Sequence, residues 1–395
     1  MKKLLLVVIA LVSFVTCTYA ASGVIKIGSL WPMTGPGAAW GLPFHNVIEW
    51  QADQINAAGG INVAGKYYQI EIIKEDSKYS PAVARKAAEK LIYQDGVKFI
   101  LGPLGGGPLN AITPLLNQNK VINVVVVNAA NAIGPDKPYG FRAFMGTGEI
   151  YVAFVEYFVE SHGVKTIQLV DWDVESARAA ANDFLYSCKA LGITCPKPML
   201  YPRDTKDFYP VMTKAIDKKP DMIIVGGAPA LQALSAKAAR ELGYKGLLGN
   251  PTPTTADRLT AVVDKKFLEG YFTNAFIDSG PLVPAGVKKF REQWEASGNK
   301  WAKTGGPVAA NYLPLILQGM QAAGSVDDTD KIKVAMEKME YNSPVFGFCQ
   351  WGGKERYGIN HLTVYPVHIT RIKNGADTGA YVIPAEKIKP VVLPK

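Results

Sequence analysis

Apolar positions along the chain alternate between two spacings. Short apolar runs and every-second-residue patterns mark strands, and stripes three and four residues apart mark helices. Val24 to Leu30 reads as a strand, followed by the loop Trp31-Pro32-Met33-Thr34-Gly35-Pro36-Gly37 and a helix from about Leu42 to Ala58. Tyr68 to Glu75 alternates as a half-buried strand. Ala82, Ala84, Ala87, Ala88, Leu91 and Ile92 form the stripe of a helix over 81–94. Val97 to Leu101 predicts a buried strand, Leu109 to Asn119 a helix and Val121 to Val127 another strand.

The rhythm restarts after Phe141-Arg142-Ala143-Phe144. Helices are expected at 150–162, 176–191, 209–218 and 230–242, with strands at 166–171, 197–201, 222–225 and 245–249. An extended stretch follows at 270–275, then helices at 283–296, 307–323 and 329–339. His361 to Ile372 alternates like an exposed strand before an Asn374-Gly375 turn. Strands separated by helices of ten to fifteen residues predict parallel β-α-β units, here two similar α/β lobes of the doubly wound, Rossmann-like type. Such sheets bind ligands outside the carboxyl ends of their strands. The loops of interest are therefore 31–40, 102–108, 128–134, 171–177, 226–230 and 249–254.

The first twenty residues stand apart. Met1-Lys2-Lys3 is basic, Leu4 to Val15 is apolar except for Ser13, and Thr18-Tyr19-Ala20 supplies small residues at a cleavage site. This is the pattern of a secretory signal peptide, residues 1–20, and it predicts export to the periplasm. Its apolar stretch of about 12 residues falls short of the roughly 18 needed to span a bilayer. Lipid attachment at Cys17 is the other option, but Phe14-Val15-Thr16 before it fits that pattern poorly. In an oxidising compartment Cys188 and Cys195, with six residues between them around Ala-Leu-Gly, either form a disulfide across a helix-to-strand turn or remain two small apolar residues. Cys349 is left over as a buried thiol.

The 395 residues, 19% charged, suit a folded protein of two domains. Lysine and arginine number 43 against 34 acidic residues, a net +9 that becomes +7 once Lys2 and Lys3 are removed. Spread without a run or an aromatic-basic stripe, this charge does not point to nucleic acid. It either draws an anionic solute or aids solubility.

Catalytic and cofactor patterns fail on inspection. Gly60 to Tyr67 nearly spells a phosphate loop, but Tyr67 stands where Ser or Thr must bind Mg²⁺, and a helix precedes it instead of a strand. Gly102-Pro103-Leu104-Gly105-Gly106-Gly107 lies between a strand and a helix, where backbone N–H groups capture anions, yet lacks dinucleotide spacing. His45, His162, His361 and His368 have no second ligand at helical spacing, so no metal is expected, and no cofactor is implied. Asp171, Asp173 and Glu175 alternate at a strand end as an acid/base pair, one wall of a pocket or a solvated loop. No enzyme is expected.

Several motifs together resemble the solute-binding proteins of branched-chain amino-acid ABC transporters. They are the opening strand with Trp31-Pro32-Met33-Thr34-Gly35-Pro36, Asn56-Ala57-Ala58-Gly59-Gly60-Ile61-Asn62, Glu75-Asp76 with Ser80-Pro81, Gly102-Pro103, and Phe141-Arg142. The resemblance covers nearly the whole mature chain. It implies the class I periplasmic-binding fold, with lobe 1 from residues 22–142 and 274–348, lobe 2 from 143–273 and 349–395, and three hinge crossings. It also implies a ligand clamped between the lobes, an ABC permease as partner and a monomer.

In that family the loops after the third and fourth strands hold the ligand carboxylate, which places Gly105, Gly106 and Gly107, then Ala129, Ala130 and Asn131, at the site. The usual hydroxyls are missing from the glycine loop. Trp40 occupies the place of an aromatic that packs on the ligand, or else fills the lobe core. In the second lobe Glu175-Ser176 replaces Tyr-Gly, and Ala228 replaces an aromatic. No carboxylate stands near Asn250-Pro251-Thr252, where the ammonium's partner would fall. Asp173 or Glu175 supplies that charge, or the ligand lacks an α-amino group and is a carboxylate with an apolar or aromatic body against Trp40 and Trp172. The resemblance also allows a second role, a ligand-sensing module serving a membrane signalling receptor.

Overall fold

The computed structural model describes residues 22–127, 130–143, 145–202, 204–252, 254–274, 282–301 and 306–388. The expected leader, residues 1–20, and Ala129 lie outside them. The chain begins with β1 (Gly23–Trp31), α1 (Ala38–Ala57), β2 (Ile61–Val63), β3 (Lys66–Asp76) and α2 (Pro81–Tyr93). β4 (Phe99–Leu104), α3 (Gly106–Gln118), β5 (Ile122–Val126) and β6 (Gly140–Arg142) complete this stretch.

A second unit follows, with α4 (Thr147–His162), β7 (Ile167–Trp172), α5 (Glu175–Ala190), β8 (Met199–Tyr201) and α6 (Tyr209–Ile216). It continues through β9 (Met222–Val225), α7 (Pro229–Glu241), β10 (Leu247–Asn250), α8 (Ala256–Thr260) and β11 (Phe272–Thr273). Next come α9 (Ala285–Ala296), α10 (Gly306–Ala309), α11 (Tyr312–Ala323) and α12 (Thr329–Met336). The last elements are β12 (Tyr341–Ser343), β13 (Gly347–Gly352), α13 (Lys354–Tyr357), β14 (Leu362–Val364), β15 (Val367–Lys373) and β16 (Ala376–Ile383).

Among the described residues these strands form two sheets. One runs β12-β13-β14-β6-β5-β4-β1-β3-β2 and the other β16-β15-β11-β10-β9-β7-β8. The fold is the expected pair of doubly wound α/β lobes, and the chain passes between the sheets three times. The third passage corrects the expected boundary after residue 348. β13 and β14 pair antiparallel, and β14 lies parallel to β6 with Leu362 opposite Arg142, so residues 347–364 belong to the first sheet. The chain leaves that sheet only between Val364 and Val367.

A second expectation changes with it. His361 to Ile372 is not one exposed strand. It divides into β14 and β15, which lie in different sheets, and Val367, Ile369, Thr370 and Ile372 are buried. Alternation of type did not become alternation of exposure, because β15 lies between β11 and β16 and is covered on both faces.

Topology alone makes the carboxyl edges of the two sheets face each other. The first passage leaves from the carboxyl end of β6, and the third from that of parallel β14. The second leaves from the carboxyl end of β11. β15 is antiparallel to β11, with Thr370 opposite Thr273, so the chain also enters the second sheet at its carboxyl edge. The main buried cluster crosses with the chain, joining Phe141 and Met145 to Phe154 and Phe158 of α4 and Phe272 of β11.

Cys188 and Cys195 form the disulfide across the end of α5, where Gly192 turns the chain at φ +66°. Closing so short a loop contributes about 2.5 kcal/mol by loop entropy. Cys349 is buried, and burial pushes its thiol up to about 12.

Candidate functional site

The first lobe's edge is built on Asp76, the last residue of β3. Its Oδ1 accepts N–H bonds from Met33 and Lys78 at 2.8 Å each, and its Oδ2 accepts the Thr34 hydroxyl at 2.6 Å. Burial would raise this carboxyl, but the hydrogen bonds from Thr34, Lys78 and Met33 outweigh it and hold the group below its ordinary value. The loops after β1 and β3 are thereby fastened together. Trp31 is buried against Phe44 and Tyr312 (ring centroids 5.1 and 5.6 Å), which anchors the base of the first loop. Gly41 lets α1 cross that loop, because a Cβ there would lie 2.2 Å from the Pro32 carbonyl oxygen. Trp40, one residue earlier, is 42% exposed at the edge of Phe44, so it does not fill the lobe core.

After β4 the chain turns at Gly105, φ +93°, whose N–H donates to Val126 O at 3.2 Å. Gly106 and Gly107 open α3 with no side-chain cap, which leaves N–H groups of its first turn for a ligand or solvent. Asn131, after β5, is exposed. Tyr79, a residue not predicted for the site, lies over this loop. A Cβ on Gly105 would fall 2.7–2.9 Å from its Cε2, Cζ and Oη, and one on Gly37 would fall 3.2 Å from its Cδ2. Lys78 and Tyr79 both have positive φ, 50° and 57°, a conformation costing roughly 1–2 kcal/mol per non-glycine residue.

The second lobe answers the sequence reading less favourably. Asp173 is exposed, and its Oδ1 accepts from Arg178 Nε at 2.6 Å, so that carboxylate already has a cation. Trp172 is half-buried, packed against the second lobe's core instead of standing free as a ligand platform. Ala228 caps α7 with its backbone, offering only a methyl group. Glu175 opens α5, and its side chain lies outside the described structure. The Thr252 N–H and hydroxyl both go to Asn250 Oδ1, while Asn250 Nδ2 donates to Val225 O. Asn250 and Thr252 thus satisfy each other at the start of the loop after β10.

Asp171, the first of the alternating carboxylates, is buried where Asp173 is exposed. The penultimate residue of β7, it is 5% exposed and packed so closely on Gly226 that a Cβ there would touch its carboxyl at 2.0–2.1 Å. It accepts the Trp172 N–H at 2.8 Å. Burial raises its carboxyl to about 7, with that hydrogen bond pulling the other way.

A buried polar network joins the lobes beside these edges. Arg356 on α13 pairs with Asp183 on α5 at 2.5 Å and lies 3.7 Å from Glu149 on α4. Tyr357 donates to Glu149 at 2.9 Å and receives Arg142 Nη1 at 3.2 Å. Thr147 donates to Asp183 at 2.7 Å, and the Gly146 N–H donates to Glu149 at 2.9 Å. Two guanidinium groups face two carboxylates, and all four side chains are buried. Arg142 belongs to the Phe141-Arg142 motif. Its partners, more than 200 positions away, have no local pattern that would reveal them.

Comparison with known proteins follows this architecture. The family described as periplasmic binding protein matches residues 24–377. The Leu/Ile/Val-binding protein homolog 6 of Brucella melitensis is 25% identical over 351 residues, 87% of each chain. A leucine binding protein from Thermotoga maritima superposes with a TM-score of 0.67 at 20% identity, over 92% of this chain and 99% of that one. A solute binding protein of an ABC transporter from Rhodopseudomonas palustris, solved with p-hydroxybenzoic acid, gives 0.71 at 22% identity over 92% and 97%. Among the described residues no helix is long and apolar enough to cross a membrane. With its two facing lobes and three passages between them, the chain belongs to the periplasmic binding protein family, beside the solute-binding proteins of the branched-chain amino-acid ABC transporters.

Proposed function

We propose that this protein is the extracytoplasmic receptor of an ABC importer, and that it captures a small carboxylate with an apolar or aromatic body between its lobes. It hands that solute to a membrane permease without chemical change. The observation that carries this reading is the lack of a carboxylate in the loop after β10, residues 251–255. Asp173 is paired with Arg178, so among the described side chains of these two loops a ligand ammonium finds no exposed, unpaired anion. A buried ammonium without a partner costs several kcal/mol. The first lobe offers the exposed ring of Trp40 and the open N–H groups at the start of α3. The fold itself accommodates leucine in one neighbour and p-hydroxybenzoic acid in another.

Asp171 favours a second reading, an α-amino acid. A buried carboxyl poised near 7 would ionise fully on meeting an ammonium and release a proton. Thermal-shift and calorimetric titration at pH 7 with benzoate, 4-hydroxybenzoate, isovalerate, leucine, isoleucine and valine separates the two. The expected outcome is stabilisation by an acid without an amino group, about 2.7 kcal/mol at one hundred times its dissociation constant. Binding of the amino acids alone, with proton release seen as heats that depend on the buffer, selects the second reading.

A further inference from the structure

We infer that Tyr79 is a ligand-binding residue of the first lobe. Its ring packs on the apolar body of the bound carboxylate, and its hydroxyl donates to the carboxylate beside the N–H groups of Gly106 and Gly107. This inference rests on the reading proposed above and deepens it. Tyr79 follows the carboxyl end of β3, on the sheet edge that faces the second lobe. Its ring lies between Gly37 of the first loop and Gly105 of the glycine loop, against positions where a Cβ would collide with it. The two glycines thus make room for the ring, and the ring covers the start of α3.

The side chain is nevertheless 47% exposed, and among the described residues its hydroxyl has no hydrogen-bond partner. An aromatic face held open on this edge, with its hydroxyl able to donate, is suited to packing on a solute. Here the backbone keeps Lys78 and Tyr79 in the left-handed region, with Asp76 bonding the Lys78 N–H at 2.8 Å and the Ser77 hydroxyl facing the Tyr79 N–H at 3.4 Å. This turn between β3 and α2 fixes the ring over Gly105. The hydroxyl also supplies the donor that the glycine loop lacks.

The test compares the wild-type protein with Tyr79→Phe, Tyr79→Gly and Tyr93→Ala, using benzoate, 4-hydroxybenzoate and isovalerate as probes. Tyr93 ends α2 and is exposed too, but its hydroxyl accepts from Asn119 at 3.1 Å. Loss of one hydrogen bond to a charged group weakens binding about tenfold in Tyr79→Phe. Tyr79→Gly, which also loses the ring, is expected to bind about fifty times more weakly or worse. Glycine suits a positive φ, so the ligand-free melting temperature of Tyr79→Gly stays level or rises. Tyr93→Ala keeps full affinity. Equal affinity across the Tyr79 series, with the wild type binding a probe, overturns the inference and leaves the carboxylate reading standing. So does a large fall in the ligand-free melting temperature of Tyr79→Gly, which would make the residue structural. A wild-type protein that binds none of the probes removes the carboxylate reading and this inference with it.

Discussion

Replacing Arg356 with methionine lowers the unfolding free energy by about 3–5 kcal/mol, the usual cost of removing one partner from a buried ion pair. Methionine keeps the unbranched stem and its packing, so the loss is electrostatic. What remains is two buried carboxylates, Asp183 and Glu149, with the Arg142 guanidinium alone to offset them, and Asp183 has lost its own partner. Burial already raises the Asp183 carboxyl against the pull of Arg356 and the Thr147 hydroxyl. Without Arg356 it titrates higher still, and the variant loses most stability at neutral and alkaline pH. Combining Arg356→Met with Asp183→Asn removes the orphaned charge, leaves Glu149 with Arg142, and recovers most of the loss. Urea unfolding of the wild type, the single and the double variant measures both effects. A single-variant loss below about 1 kcal/mol, the worth of an exposed pair, means that the network is solvated and does not fasten the lobes.

Asp171→Asn has a comparable effect, confined to one pH range. The folded-state pKa is raised from 3.8 to about 7, so the stability linked to this group is fully present below about pH 3.8. It is lost as pH rises through 7. Asparagine mimics the protonated acid and still accepts the Trp172 N–H. Wild type and variant therefore melt alike near pH 4. By pH 8 the variant is more stable by about 4 kcal/mol, at about 1.4 kcal/mol for each pKa unit. Melting curves between pH 4 and 8 check the shape. Parallel curves, with a constant difference, show that Asp171 is solvated enough to ionise normally.

Much of the fold was legible in the sequence because it is written in local pattern. β4, β5 and β9 are buried on both faces, and their largely apolar runs mark them. β9 falls at 222–225 as expected. Helix starts were less legible. α1 and α3 begin at Ala38 and Gly106, ahead of the expected Leu42 and Leu109, because Pro43 and the Gly-Gly-Pro run read as loop. Pro108 sits in the first turn of α3, where its missing N–H had no helical partner to lose. The hairpin of β12 and β13 was missed, since three-residue and glycine-flanked strands carry almost no periodic signal.

The candidate site was legible only where it is backbone. The glycine loop and Trp40 stand at the edge the pattern predicted. Asp171 reads as one of three alternating carboxylates, and only the contact with Gly226 separates it from solvated Asp173. Arg356 and Asp183 lie 173 positions apart, and nothing local in either segment announces the pair. Tyr79 was overlooked because its position depends on two left-handed residues that sequence pattern does not reveal.

The central claim is capture of a solute between the carboxyl edges of the two sheets. A crystal structure of the protein with the carboxylate that most raises its melting temperature tests this directly. The predicted result places the ligand carboxylate at the start of α3, beside Gly106 and Gly107, with its body against Trp40 and the opposing loops after β7, β9 and β10 closed over it. A ligand bound on the outer face of one lobe, with the facing edges left empty, would contradict the account.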